Sequence, residues 1–263
     1  MEKYDRIGKG YDSTRSADPH ILGRMADLMG SVKKARYLDV GCGTGNYTAG
    51  LQAKGYPMTG LDPSAEMIAS ARKKFPKIEW QLGKAENPGM PQESIQGVFA
   101  ILTLHHWPDL KSAFRALDTI LATGGRMLIF TSDPQQMAGY WLNHYFPDMM
   151  QSSIEQMPSL AKIKRGLTST SLILQNTEDY TIRPDLRDFF LYCGKHRPER
   201  YLDPRIRNGI SSFADLAHES EVAQGLTRLE KDIRSGQIDH IMQTYANGDG
   251  DYRFIVLEKP SSP

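Results

Sequence analysis

Along the first half of the chain, short apolar runs alternate with stretches in which apolar residues recur every three or four positions. The runs fall at 37–40, 58–62, 78–82, 98–104 and 126–130. Between them, 46–54 reads as a helix closed by Gly55, a residue suited to a left-handed stop. Met67, Ile68, Ala71 and Phe75 share one face of a second helix, and Leu110, Phe114, Leu117 and Leu121 mark a third. Ser64 is placed to cap the second helix, while Lys73 and Lys74 fall in its last turn, where the helix dipole favours cations. The run 98–104 is apolar at both alternating sets of positions, as in a central parallel strand covered on both faces. Five strand units separated by helices predict an α/β fold with a doubly wound, mostly parallel sheet.

After residue 132 the period changes. Helical spacing is expected over 136–150, 184–193, 204–216 and 222–233, with a short strand near 180–183. A last strand over 252–257 follows the turn-rich Asn247-Gly248-Asp249-Gly250. The expected organisation is an N-terminal cap segment over 1–30 and a cofactor-binding α/β core over 31–132. A mainly helical lid over 133–250 then precedes the final strand at 251–258, which completes a seven-stranded Rossmann-like sheet.

Charge narrows the partners. Lys and Arg number 32 against 31 Asp and Glu, a net charge of +1, so no basic footprint points to nucleic acid. Two cysteines, Cys42 and Cys193, cannot build a disulfide framework and read as thiols of a reducing compartment. Residues 1–6 hold no apolar signal core, and no run approaches the ~20 apolar residues of a membrane span. The expectation is a soluble, cytoplasmic monomer or homodimer with no membrane partner.

The candidate chemistry begins where the first strand ends. Gly41, Gly43 and Gly45 alternate immediately after Tyr37-Leu38-Asp39-Val40, and bare backbone at such a strand–helix turn admits a ligand. A dinucleotide fingerprint needs glycine three residues beyond Gly43, but Asn46 stands there, which speaks against a nicotinamide-dependent oxidoreductase.

Leu38-Asp39-Val40-Gly41-Cys42-Gly43-Thr44-Gly45, with Gly60-Leu61-Asp62-Pro63-Ser64 one unit later, resembles the class I S-adenosylmethionine-dependent methyltransferases. The similarity is to the small-molecule branch that includes ubiquinone/menaquinone and trans-aconitate methyltransferases. It covers residues 1 to about 132 and the final strand. The opening Tyr4 to Arg15 also resembles that branch's N-terminal cap. The resemblance implies S-adenosyl-L-methionine as cofactor and a small-molecule methyl acceptor. It places Tyr11, Arg15, Gly41, Cys42, Gly43, Gly45, Pro63 and Thr103 at the cofactor. Asp39 would face the cofactor's amino group. Asp62 would take the ribose hydroxyls, or else serve only as a carboxylate at a helix N-terminus. Met67 would cover one adenine face, or belong to the core. Where the family carries Gly-Asp-Ala, this chain has Gly83-Lys84-Ala85-Glu86. Lysine accepts no hydrogen bond, so Ala85 and Glu86 are left to meet the adenine. Gly97 stands where the family has an acidic residue.

Thr103-Leu104-His105-His106-Trp107 ends the central strand at the carboxyl edge of the sheet, where open α/β folds bind ligands. Similar methyltransferases carry a His-His-aromatic sequence there. Strand alternation allows one imidazole, with His106 ahead of His105, to act as general base or substrate orienter. The other reading holds both as structural. The lid brings Tyr140, Trp141, His144 and Arg207 as pocket residues beside Trp107, although aromatics at helical spacing often belong to a core. Arg197, Arg200, Arg205 and Arg207 form either a solvated face or a site for an acidic substrate. No metal is implied. The alternative function is a cofactor-binding protein without transferase activity.

Overall fold

A computed structural model describes residues 14–30, 35–214 and 216–261. Tyr11, with the rest of 1–13, lies outside them. The sheet has seven strands: β1 Tyr37–Val40, β2 Met58–Asp62, β3 Glu79–Leu82, β4 Ile95–Ile101, β5 Leu121–Thr131, β6 Ile173–Tyr180 and β7 Tyr252–Glu258. Their order is β3-β2-β1-β4-β5-β7-β6, with β7 antiparallel to both neighbours and the other pairs parallel. The strand order reverses between β1 and β4, so their carboxyl ends diverge into a crevice, the usual ligand position in such sheets.

Both faces of the sheet are covered. Val98 and Ala100 of β4 join Leu38, Met127, Phe114 and Leu117 in one core, while Phe99 joins Leu128, Phe130 and Phe254 in the other. This two-sided burial accounts for the continuous apolar run in β4. Three helices connect the parallel strands: α2 Asn46–Ala53, α3 Ala65–Lys74 and α4 Leu110–Ile120. Ser64 caps α3 by accepting from Met67 N–H, as its position predicts.

The segment ahead of β1 forms α1 Pro19–Met29, which packs against β5 and β7. Asp18 caps it, with Oδ1 accepting from the His20 and Ile21 amides. Its second oxygen accepts from Arg187 N–H at 3.0 Å. Ser16 Oγ donates to Arg187 carbonyl at 2.8 Å, and Phe189 N–H donates to Thr14 carbonyl at 3.1 Å. A strap over 14–18 is thereby laced to 187–189.

That lacing corrects the expectation of a helix over 184–193. The backbone groups there bond to the strap and to local turns instead. The 136–150 stretch is also broken, into α5 Pro134–Ala138, a single tight turn, and α6 Pro147–Gln156, because Gly139 ends one piece and Pro147 opens another. Two further helices follow: α7 Leu160–Gly166 and α8 Pro204–Asn208, the latter ending at Gly209 well short of 216. Then come α9 Glu219–Ser235 and α10 Gln237–Thr244. The sixth strand, β6, precedes the expected 180–183. Its edge position leaves it mostly exposed, which weakens the apolar signal. Among the described residues, no helix is long and apolar enough to cross a membrane.

Asp18→Ala should destabilise the protein by about 2 kcal/mol, combining a lost helix cap with a stranded amide at Arg187. Urea unfolding measures this; a change below about 0.5 kcal/mol would mean that the strap is held without it.

Candidate functional site

The carboxyl ends of β1, β2, β3 and β4 open into a cavity of about 440 Å³, within the range of small-molecule sites. Its floor is the glycine turn. Gly41 and Cys42 N–H both donate to Leu61 carbonyl, at 2.7 and 3.1 Å, tying the turn to β2. A Cβ on Gly41 would sit 2.0 Å from Thr103 Oγ1 at the end of β4, and one on Gly45 would sit 2.3 Å from the Trp80 ring. Gly60, paired with Trp80 across β2 and β3, is equally pressed by that indole. The turn is therefore clamped from both sides. Gly43 differs: it has φ +54°, no atom within 4 Å of an added Cβ, and it lines the cavity. Its missing side chain leaves room for a ligand rather than for protein. Gly45 lies behind the wall and does not line the cavity.

Two carboxylates flank the turn. Asp62, 8% exposed, accepts from Gly43 N–H through Oδ2 and from Ser64 N–H through Oδ1, each at 2.9 Å. A carboxylate oxygen accepts more than one bond, so a ligand hydroxyl can share it. Asp39, 1% exposed, accepts from Thr48 Oγ1 at 2.6 Å through Oδ2. Its Oδ1 is buried at the cavity wall with no hydrogen-bond partner among the described residues. Burial pushes the Asp39 carboxyl up to about 7, and the Asp62 charge adds to that, against the Thr48 bond. A buried acceptor next to a second carboxylate is a place for a cation. Burial also pushes the Cys42 thiol well up, so it stays protonated at the wall.

Pro63, Met67, Ala85 and Glu86 line the far end beside Lys84. Glu86 Oε1 is a second buried oxygen without a partner among the described residues. Arg15 lines the opposite end, its guanidinium spread bidentately over the buried Asp188, at 2.5 and 3.2 Å. Asn46, which displaces the dinucleotide glycine, donates to Arg15 carbonyl and accepts from Lys74 Nζ.

Past Ile101 the chain leaves β4 through Leu102, whose φ of +53° is a strained conformation for a side chain of that size. The kink feeds a tight helical turn, Leu104–His106, in place of continued strand. Successive side chains on such a turn are about 120° apart rather than 180°. Hence His105 and His106 both line the cavity, ring centroids 3.8 Å apart, where strand alternation admitted one. Trp107 lines it too.

Four expected pocket residues do not reach it. Tyr140 and Trp141, each 3% exposed, stand behind the wall. Tyr201 hydroxyl donates to Leu191 carbonyl, which leaves Tyr140 to donate to Tyr201 at 2.6 Å, and Trp141 Nε1 donates to Lys195 carbonyl. His144 packs edgewise on Tyr145 and Tyr245, and Arg207 donates to Tyr201 carbonyl at 2.6 Å. The residues that close the cavity are Met137, Met157, Phe190, Leu191 and Ile210 of the long insert, with Tyr252 at the start of β7. Asp188 lines the cavity as well, paired with Arg15, which the resemblance places at the cofactor.

Comparison with known proteins agrees with this geometry. A model described as a methyltransferase domain matches residues 38–129. The chain is 29% identical over 135 residues to a biotin biosynthesis bifunctional protein BioHC of Cellvibrio japonicus, covering 51% of this chain and 27% of that one. It is 24% identical over 201 residues to a demethylmenaquinone methyltransferase of Tropheryma whipplei, covering 73% and 81%. The chain spans between about a quarter and a half of the length of the first curated relatives it matches. A crystal structure from Anabaena variabilis, described as a methyltransferase from an antibiotic biosynthesis pathway, superposes with a TM-score of 0.81 at 30% identity. The match covers 92% of this chain and 98% of that one. With the clamped glycine turn, the two carboxylates and this match over almost the full length of both chains, the protein belongs to the class I S-adenosylmethionine-dependent methyltransferases.

Proposed function

We propose that the protein transfers a methyl group from S-adenosylmethionine to a small-molecule acceptor. The observation that carries this reading is Asp39 Oδ1, a buried acceptor with no partner among the described residues, facing a cavity floored by the glycine turn. An ammonium group there satisfies the oxygen and offsets the repulsion from Asp62. Asp62 takes the ribose hydroxyls, Glu86 Oε1 takes the adenine amino group, and Met67 lies on the adenine face. Gly43 supplies the space for the methionine chain. When bound, the cofactor supplies an electrophilic methyl carbon on a sulfonium. The chain's own residues hold the nucleophile in line, at about 3 Å, and keep water out. His106 or His105 takes a proton from the acceptor where the acceptor carries one.

Asp39 gives this reading a pH signature. A carboxyl lifted from 3.8 to about 7 stays protonated in the folded chain while the unfolded chain has lost its proton. Its contribution to stability of the ligand-free protein is therefore full below the unfolded value and falls as pH rises toward about 7. Binding a cation favours the ionised form, so affinity changes the opposite way. S-Adenosylhomocysteine should bind roughly tenfold more tightly at about pH 8 than at about pH 5.5. Asp39→Asn should flatten that dependence. Calorimetry across the range decides it, and a flat profile for the unaltered protein would reject the assignment.

Gly43→Val should abolish S-adenosylhomocysteine binding while the chain still folds, with a stability loss of about 1–2 kcal/mol from the left-handed backbone. Circular dichroism melting and calorimetry separate the two effects; retained binding would mean that the cofactor does not pass over Gly43.

For the imidazoles, His106→Gln should lower single-turnover transfer by about 10²–10⁴-fold and alter its pH profile between about 5 and 8, with cofactor affinity unchanged. Wild-type rates in both His106→Gln and His105→Gln, across that range, would remove base catalysis from this site.

A further inference from the structure

The cavity has two chemically different ends, and the difference bears on the acceptor. The ends of β1, β2 and β3 carry Asp39, Asp62, Lys84 and Glu86, and these form the polar half. Past the reversal in strand order, the wall from β4, β5 and the insert is mostly apolar, with Trp107, Met137, Met157, Phe190 and Leu191 beside the uncharged Ser132, Ser211 and Ser212 and the two imidazoles set among them. Apart from Asp39, Asp62, Lys84 and Glu86, the charged side chains that line the cavity among the described residues are Arg15 and Asp188, which form a bidentate pair beside the glycine turn, where Asn46 donates to Arg15 carbonyl. The arginines that could have met an acid are turned elsewhere. Arg200 lies 4.5 Å over the Phe189 ring and donates to Cys193 carbonyl; Arg205 pairs with Asp203 at the surface; Arg207 is held by Tyr201 carbonyl.

From this wall we infer that the acceptor is an uncharged, largely apolar molecule that presents a hydroxyl, of the phenol or enol class, to the histidine pair. The inference rests on the methyltransferase reading above and gives that site its substrate class. Methionine and leucine surfaces reward apolar area at roughly 25 cal/mol per Å² and supply no counter-charge, so a carboxylate or phosphate would be desolvated without compensation. Methionines also adapt to a flat ring more readily than branched side chains. A neutral hydroxyl is a poor nucleophile until it loses its proton, which gives two imidazoles at the wall a use that a ready anion would not need. In the transfer, the acceptor oxygen bonds to the methyl carbon and the carbon–sulfur bond breaks with its electron pair going to sulfur. The hydroxyl proton passes to an imidazole.

The test uses probes of one size and different charge, titrated near neutral pH by calorimetry into protein saturated with S-adenosylhomocysteine. The probes are 2-naphthol, 2-naphthoate and 2-naphthylmethylammonium. The expected result is that 2-naphthol binds at least about tenfold more tightly than either ion, and that His106→Gln weakens 2-naphthol while leaving 2-naphthoate unchanged. Tighter binding of either ion, equal binding of all three, or no binding of 2-naphthol would overturn the inference. Preceding titration of S-adenosylhomocysteine alone reads the cofactor site separately, so a failure of the methyltransferase reading is visible before any probe is added.

Discussion

The site depends on the compression of one turn. Trp80 from β3 occupies the volume that side chains at Gly45 and Gly60 would need, and Thr103 from β4 occupies the volume above Gly41. The indole is anchored in turn, its Nε1 donating to Phe75 carbonyl at 3.0 Å. Between these two contacts the backbone has one way to run, and that path lifts Gly43 to the crest with its N–H on Asp62. The strands are thereby locked at their carboxyl ends by Trp80, which stands behind the cavity, and by Thr103, which lines it. A ligand lying on the turn meets β1, β2 and β3 at once, because the clamp holds their ends within a few ångströms.

Of the two carboxylates beside the turn, Asp62 is satisfied by the Gly43 and Ser64 amides, whereas Asp39 sits where a structure selected for stability alone would not keep it. Asp39 is buried beside Asp62 with one oxygen unmatched, and an unmatched buried acceptor costs on the order of 1–3 kcal/mol. Such a cost persists when a bound partner recovers it, which ties the stability of the loop to occupancy of the cavity. The strap over 14–18 reinforces the arrangement from the other side. Asp18, Ser16, Thr14 and Arg15 each bond to 187–189, so the wall opposite the turn is itself made of two distant segments.

What could be read in the sequence follows from this geometry. The turn, Asp39, Asp62 and the Ser64 cap are local: each is fixed by neighbours within one strand–turn–helix unit, and periodicity with glycine spacing is enough to find them. Trp80 left a fainter trace, since a glycine inside a strand, Gly60, marks a close approach without naming what approaches. Strand alternation admits one histidine to the cavity, but the positive φ at Leu102 ends the strand earlier than its apolar run does, and both line it. Aromatic spacing points Tyr140 and Trp141 to the pocket, whereas the Tyr140 hydroxyl bonds to the Tyr201 hydroxyl and the Trp141 indole to Lys195 carbonyl, behind Leu191. In the insert, helical periodicity lost to prolines, glycines and backbone bonds with the strap.

That contrast carries a consequence for how the two halves of the cavity are built. The polar half is assembled from three successive strand ends, with Asp39 on β1, Asp62 on β2 and Lys84 and Glu86 just past β3, each brought to the same edge by the parallel order of the sheet. The apolar half is assembled from scattered positions, with Met137, Met157, the adjacent Phe190 and Leu191, and Ile210 of the insert joined by Tyr252 at the start of β7. Leu191 is held through Tyr201 and Tyr140, Asp188 through Arg15, and the imidazoles through the kink at Leu102. Exchanging any one wall residue alters the shape offered to an acceptor without disturbing the turn. The glycine turn and the wall built from the insert are thus physically separate in this chain, and the separation runs along the line where the strand order reverses.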